Sequence, residues 1–440
     1  MRTLRCLAWR VRVLAVLVLV LGGVFTSLAL PASASSISTT QLRLAQTSLQ
    51  TRITAILVNC GLARPGTAVR VWDRTAGVGL YARNVSTLLT PASNEKLVTS
   101  AAALALWGPE HRFTTRLYLS SLPAYGTGVV HGNVYLQGGG DPSLSSGWYQ
   151  TNVLHITTAN ISHFAKALKS LGVTKIVGRV VGDESYFDTQ RAVASWRPGM
   201  TQWCGPLSAL SLNEGYDDGT RVAHPALFTV RRLTKILERN GIVVTGSAAV
   251  GRVPATAVLC FTEQSAPLAT LIKAMNKPSD NFFAEMLTKD LGAAFGGAGT
   301  TAAGVAVEAK FLRSEGVAAT SFRLCDGSGL SYQDKLTAGA VTRLLRQMAG
   351  SVDYPYYWAS LPVAARSGTL IDRMRNTAAA GNVHAKTGTL AIASCLSGYV
   401  TTANGHQVVF SILMNHSCLN IWRAEGAQDA IAVALAKAAP

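Results

Sequence analysis

Three short motifs in fixed order constrain this chain more than anything else in it: Ser93-Asn94-Glu95-Lys96, Ser279-Asp280-Asn281 and Lys386-Thr387-Gly388. A serine and a lysine three residues apart share one face of a helix, one turn apart, so the amine reaches the hydroxyl. Serine is a weak nucleophile until a neighbouring base takes its proton, and an unprotonated lysine serves as that base. For the other two motifs to act on the same hydroxyl, a second helix start and a strand edge must fold back onto the first helix. The long stretch between Lys96 and Ser279 must then stay out of the way.

Ser93 is the only serine in the chain with a lysine three places later. The alanine- and leucine-rich run from Ser93 to Trp107 predicts a buried helix. Burial near its start desolvates Lys96 and lowers its pKa towards the neutral form that a base requires. Free N–H groups at the helix start supply partial positive charge where an oxyanion develops. Pro278 and Ser279 signal the start of another helix, with Phe282, Phe283, Met286 and Leu287 as its core face. Ser279 is placed to relay a proton to or from Lys96, and Asn281 to bond that lysine and a substrate amide. Ser211-Leu212-Asn213 fits the same Ser-x-Asn pattern and is set aside, because the helix-start signal belongs to Ser279.

Lys386-Thr387-Gly388-Thr389 opens the first strand of an expected hairpin: Thr389 to Val400, a turn at Asn404-Gly405, then Gln407 to Met414. A strand edge pairs with an extended peptide through main-chain hydrogen bonds. Gly388 is expected to remove a side chain where substrate approaches, and the hydroxyls of Thr387 and Thr389 to hold a carboxylate. Lys386 adds positive charge that attracts the carboxylate and disfavours a protonated Lys96.

Arg2, Arg5, Arg10 and Arg12, the apolar run Val13 to Leu30 and Ala32-Ser33-Ala34 read as a signal peptide over residues 1–34. An uncleaved membrane anchor is the competing reading, and either way the functional part is exported, to the cell wall, periplasm or medium. Losing four arginines and no acid lowers the formal charge from +17 to +13. A basic exported protein is attracted to an anionic wall or lipid surface. Its basic residues are scattered singly without interleaved aromatics, which argues against nucleic acid. The remaining cysteines, Cys60, Cys204, Cys260, Cys325, Cys395 and Cys418, are even in number, and Cys395–Cys418 is the first pair expected to bridge. No Cys-x-x-Cys or His-x-x-x-His cluster points to structural zinc.

A chain of 440 residues with 48% hydrophobic content has core enough for more than one unit. Helical spacing marks Gln41 to Leu57, and two strands, Thr67 to Trp72 and Val78 to Arg83, flank a turn. From Arg112 to Arg252 the texture changes to short β-like runs, two helical segments and glycine-rich turns. Longer helices and a last one over Trp422 to Lys437 follow. The expected division is a catalytic part over 35–111, an inserted α+β module over 112–252 and a second catalytic part over 253–440. The insert is expected to fold outside the main sheet and to supply no proton-transfer group.

The three motifs form the set found in penicillin-binding proteins and serine β-lactamases. The long first gap resembles the D-alanyl-D-alanine carboxypeptidase/endopeptidase branch of low-molecular-mass, class C penicillin-binding proteins, whose catalytic domain is interrupted. Gly139-Gly140-Asp141-Pro142-Ser143-Leu144, Val181-Gly182-Asp183-Glu184-Ser185-Tyr186-Phe187-Asp188, Leu210-Ser211-Leu212-Asn213 and Asp326-Gly327-Ser328-Gly329-Leu330-Ser331 carry the resemblance across nearly all of the mature chain. After Ser331 the family has arginine and then asparagine two places on, whereas this chain has Tyr332-Gln333-Asp334.

The resemblance implies an α+β transpeptidase-like fold, an antiparallel sheet with helices on its faces. It implies acyl transfer on peptidoglycan stem peptides, without metal or nucleotide, and stable acylation by β-lactams. In that scheme Ser93 attacks, Lys96 is the base and Ser279 passes the proton on. The N–H groups of Ser93 and Thr389 form the oxyanion hole, Asn281 binds the peptide, and Lys386, Thr387 and Thr389 take the terminal carboxylate. A serine β-lactamase is the nearest alternative, disfavoured by the insert. A non-catalytic wall-binding or penicillin-sensing protein is the alternative from another class, disfavoured by the full set of catalytic side chains.

Overall fold

In the computed structural model of the chain, residues 39–440 are described, and the expected signal segment lies outside them. A five-stranded antiparallel sheet organises the two ends of the chain. Its strands are β1 (Thr67–Asp73), β2 (Val78–Arg83), β3 (His384–Leu390), β4 (Ala393–Thr401) and β5 (Gln407–Asn415), in the spatial order β3-β4-β5-β1-β2. The terminal segments meet where β1 pairs with β5, Val69 opposite Ile412 and Val71 opposite Phe410.

The sheet carries helices on both faces. Helix α1 (Thr39–Asn59) and the last helix cover one face, burying Leu49, Ile53 and Leu57 with Val69, Val71, Phe410, Ile431 and Leu435. On the other face lies the larger core, built from helix α2 (Lys96–Trp107), helix α3 (Asn281–Phe295), helix α4 (Thr301–Ser314) and helix α5 (Ala338–Met348). The last helix, Ile421–Lys437, is α6.

Sequence spacing reads one strand from Thr389 to Val400, and the structure has two. Leu390 pairs with Ala393 across a two-residue turn at Ala391-Ile392, so Lys386-Thr387-Gly388 lies on an edge strand of its own. Nothing in Leu390-Ala391-Ile392-Ala393 carries the Gly, Asn or Pro signature of a turn, and the apolar run conceals it. The second turn matches its signal, with Gly405 left-handed at φ 84°.

The middle segment has its own sheets and core. One sheet orders Ala249–Val250, Val180–Asp183, Val134–Gly138, Thr114–Leu119 and Val258–Gln264. A three-stranded parallel sheet of Val243–Val244, Lys175–Val177 and Val129–His131 stands beside it. Leu117, Leu136, Phe164, Val230 and Leu237 are among the residues sealed between these sheets and the segment's helices. The larger sheet runs on past Arg252, because Val258–Gln264 pairs antiparallel with Thr114–Leu119. Texture change alone hides this return strand, whose partner lies far upstream.

The expected Cys395–Cys418 bridge is not formed, and all six cysteines among the described residues are free. Cys395 is buried in β4, its thiol turned to the Thr90 carbonyl and packed with Ala68, Leu89 and Leu413. Cys418 is exposed beyond the end of β5.

Candidate active site

Ser93 stands in a tight 3₁₀ turn, Ala92–Glu95, immediately before α2. The regular helix therefore starts at Lys96, one turn later than the spacing predicts. Ala92 is left-handed at φ 49°, a conformation that costs a non-glycine residue about 1–3 kcal/mol and persists only when its surroundings impose it. Gly329 closes over this turn: a Cβ there would lie 1.9 Å from the Ala92 carbonyl oxygen.

Lys96 is completely buried, and its Nζ donates to Ser93 Oγ at 3.1 Å, Asn281 Oδ1 at 2.6 Å and the Ser328 carbonyl at 2.7 Å. Burial brings its pKa down to about 8, against the opposing pull of Asp326, Asp280 and Glu285. Lys386 is also fully buried, and its Nζ donates to Ser279 Oγ at 2.8 Å and to the Thr387 carbonyl at 3.0 Å. Burial first, and then repulsion from Lys96, holds Lys386 well below the ordinary lysine range. Burial is the largest cause at both amines, and each amine's charge, when present, disfavours the other's. Asp326, Asp280 and Glu285 oppose the depression at Lys96, and no carboxylate does so at Lys386.

Asp280, not Ser279, caps α3: its Oδ1 accepts from the Phe283 N–H at 2.9 Å. Ser279 is left-handed at φ 67°, which turns its hydroxyl away from the helix towards Lys386. Asn281 spends one amide hydrogen on the Trp203 carbonyl at 2.8 Å, so the middle segment touches the motif directly. Thr387 and Thr369 share a hydroxyl–hydroxyl bond of 2.7 Å, and Thr389 is exposed. These side chains border a cleft of about 570 Å³, together with Trp203, Leu330 and Tyr332. Arg197 stacks over the Tyr332 ring at 3.8 Å.

Gly388 lines the cleft, and it has a second reason to be glycine. A Cβ there would stand 2.6 Å from the Pro91 carbonyl oxygen and 3.0 Å from the Asn94 nitrogen. The missing side chain lets β3 close onto the turn that carries Ser93. Asn94 locks the contact, donating to the Lys386 carbonyl at 3.2 Å.

Beneath the cleft lies a set of buried carboxyls that the motifs do not reveal. Glu285 Oε1 accepts from the N–H groups of Gly327 and Ser328, and Asp326 accepts from Gly329, Ser331 and the Trp196 indole. They fix the loop whose Ser328 carbonyl receives Lys96. Glu285 and Glu308 are pushed up to about 8 by burial.

Glu214 is the other residue missed. It comes from the middle segment, directly after Ser211-Leu212-Asn213, is itself left-handed at φ 55°, and hydrogen-bonds to both Asp280 and Tyr149. Burial, then the neighbouring Asp280 charge, raises its pKa well above the carboxylate range. Among the described residues, no titratable side chain of the middle segment bonds Ser93 itself. Ser211 is buried outside the cleft and its hydroxyl finds no partner, while Asn213 receives the Ser146 N–H at 2.8 Å. Among the described residues no cluster of His, Cys, Asp and Glu is arranged to hold a metal ion.

The chain matches the sequence pattern of the D-Ala-D-Ala carboxypeptidase 3 (S13) family over residues 49–218 and 212–438. It is 33% identical over 475 aligned positions to a D-alanyl-D-alanine carboxypeptidase of an Actinomadura species, covering 89% of this chain and 85% of that protein. Carboxypeptidase DacB of Mycolicibacterium smegmatis is 29% identical, covering 79% of this chain and 76% of its own. In three dimensions the chain resembles penicillin binding protein 4 of Haemophilus influenzae, with a TM-score of 0.73 at 21% identity, over 89% of this chain and 99% of the other. At that identity the likeness speaks for the fold.

Proposed function

Since this chain belongs to the D-Ala-D-Ala carboxypeptidase 3 (S13) family, we propose that it is a serine-type carboxypeptidase that trims peptidoglycan stem peptides through an acyl-enzyme on Ser93. β-Lactams, which mimic the D-Ala-D-Ala terminus, are its covalent inhibitors. The observation that carries the assignment of roles is the Lys96 amine, desolvated to a pKa of about 8 and 3.1 Å from Ser93 Oγ.

Neutral Lys96 takes the Ser93 proton as Oγ attacks the carbonyl carbon of the penultimate D-alanine. The oxyanion forms against the N–H groups of Ser93 and Thr389. The proton then passes by way of Ser279 to the nitrogen of the departing D-alanine as the C–N bond breaks. Water, deprotonated by the same amine, releases the ester and returns Ser93 to its hydroxyl. Asn281 holds Lys96 and offers its second amide hydrogen to the peptide carbonyl. Lys386, Thr387 and Thr389 receive the terminal carboxylate. The enzyme acts outside the cytoplasmic membrane, where its substrate lies.

Incubating the protein with a fluorescent penicillin and with a synthetic pentapeptide tests this reading. A stable label on Ser93 and release of one D-alanine are expected. Rapid penicillin turnover would make it a β-lactamase, and no labelling a binding protein. Ser93→Ala should abolish both signals while leaving the fold intact, and drug mapped to Ser211 or Ser279 overturns the assignment.

A further inference from the structure

On the face of the main sheet that α5 covers, three guanidiniums converge without an ion pair among the described residues. Arg70 and Trp72 project from β1, and Arg343 and Arg346 from α5. Arg346 stacks on the Trp72 ring at 3.8 Å, and Arg70 approaches the same ring at 5.2 Å. Arg343 donates to the Glu315 carbonyl at 3.1 Å. The Glu315 carboxyl feels Arg343, but its side-chain hydrogen bond goes to Gln347. Arg74, the next cation along, is turned to Gln407 and the Ala349 carbonyl.

Between these side chains lies a recess of about 290 Å³, lined also by Val85, Gly339 and Thr342. Like charges crowded around one cavity repel, and stacking on Trp72 offsets only part of that repulsion. Arg346 is held below its ordinary range by burial, with Arg343 and Arg70 as the charges that add to it. A guanidinium fork matches the oxygens of a phosphate, and three forks around one recess leave donors on several sides of it. β1 is three strand spacings from the edge strand β3, roughly 14 Å at the usual separation, so the recess is not the cleft that holds Ser93.

We propose that this recess is an anion site that takes the phosphodiester groups of an anionic cell-surface polymer, tethering the enzyme where its substrate is made. The positive charge of the chain, formally +17 and still +13 without residues 1–34, draws it to such polymers from a distance. The recess gives that attraction a place. The three guanidiniums line a recess rather than a flat face, which suits a flexible chain of phosphates better than a planar membrane surface.

The test compares wild type with Arg70→Gln/Arg343→Gln, which leaves the Arg346–Trp72 stack in place, and with Arg343→Lys, which keeps the charge. Melting temperature is followed against inorganic phosphate at constant ionic strength made up with chloride. Wild type should be stabilised by phosphate. The double variant should need a concentration at least about tenfold higher, a difference of roughly 1.4 kcal/mol, and Arg343→Lys should fall between. Unchanged release of D-alanine from a short soluble peptide shows that the variants are folded. Co-sedimentation with poly(glycerol phosphate) should then retain wild type and lose the double variant. Equal phosphate response in wild type and double variant overturns the site. Retention by anionic lipid vesicles but not by the polymer overturns the assigned partner.

Discussion

The Glu214 carboxyl hydrogen-bonds to the carboxyl of Asp280, the residue that caps α3 between Ser279 and Asn281. Two hydrogen-bonded acids share a proton. Asp280 already accepts the Phe283 N–H, which favours its ionised form, so Glu214 carries the proton and donates to it. Glutamine can donate in the same direction, whereas alanine leaves Asp280 with an empty side. Glu214→Gln should therefore keep kcat/KM within about threefold, and Glu214→Ala should lose about 1–3 kcal/mol of transition-state stabilisation. Acylation rates with penicillin for the two variants check this. Equal losses would show that the shared proton is irrelevant.

Lys96 sets the pH dependence of acylation. With a pKa of about 8, about a tenth of the enzyme carries the neutral base at pH 7. The acylation rate should rise with pH and level off above a midpoint near 8. Lys96→Ala should slow acylation by about 10²–10⁴-fold, the usual worth of a general base. A flat profile between pH 6 and 9 in wild type would assign the proton to another group.

Gly388→Ala tests whether glycine serves the packing of β3 on the nucleophile turn. The new Cβ meets the Pro91 carbonyl oxygen at 2.6 Å, a backbone atom that cannot swing aside. Overpacking of this kind costs about 1–3 kcal/mol. Thermal denaturation should show that loss without substrate present, together with slower acylation. A variant of unchanged stability that merely binds substrate poorly would return glycine to the role expected from sequence.

What the sequence made legible was local. Ser93 and Lys96 announce themselves through one turn of spacing, and Phe282 to Leu287 through helical periodicity. Gly405 marks its turn because only a left-handed residue fits there. The strand boundary at Ala391-Ile392 is silent because β-forming residues run straight through the turn. Glu214 is silent for a different reason: its meaning depends on Asp280, a partner far along the chain. An isolated glutamate in a loop reads as a solvated charge. Lys386 shows the same limit, since which of two buried amines yields its proton follows from the carboxyls around each, and these are assembled only by folding.

The buried carboxyls make stability depend on pH. Glu308 accepts from Thr288 at 2.9 Å, and burial raises its pKa to about 8. The folded state therefore holds a proton that the unfolded chain releases near pH 4.5. Stability from this group is complete below pH 4.5 and is lost progressively as pH rises towards 8. Glu308→Gln should flatten that part of the curve of denaturation midpoint against pH. An identical slope in variant and wild type would rule Glu308 out as the titrating group.

Lys386 raises a question of charge that a substrate can answer. Buried and beside Lys96, it is held well below the ordinary lysine range in the free enzyme. The depression favours the neutral form, so a terminal carboxylate that docks here raises the lysine's pKa or brings a proton with it. Binding of an acid substrate should then weaken as pH rises, while binding of the terminally amidated peptide should not. The ratio of kcat/KM for acid over amide should fall with pH in wild type and stay flat in Lys386→Gln. Lys386→Arg should be impaired, because a planar fork cannot replace a compact amine between Ser279 Oγ and the Thr387 carbonyl. It should still exceed glutamine on the acid, since it keeps a charge for the carboxylate. Comparing wild type and Lys386→Gln on acid and amide closes a double cycle. Equal losses on both substrates would mean that Lys386 does not read the carboxylate, leaving it the bond that orients Ser279.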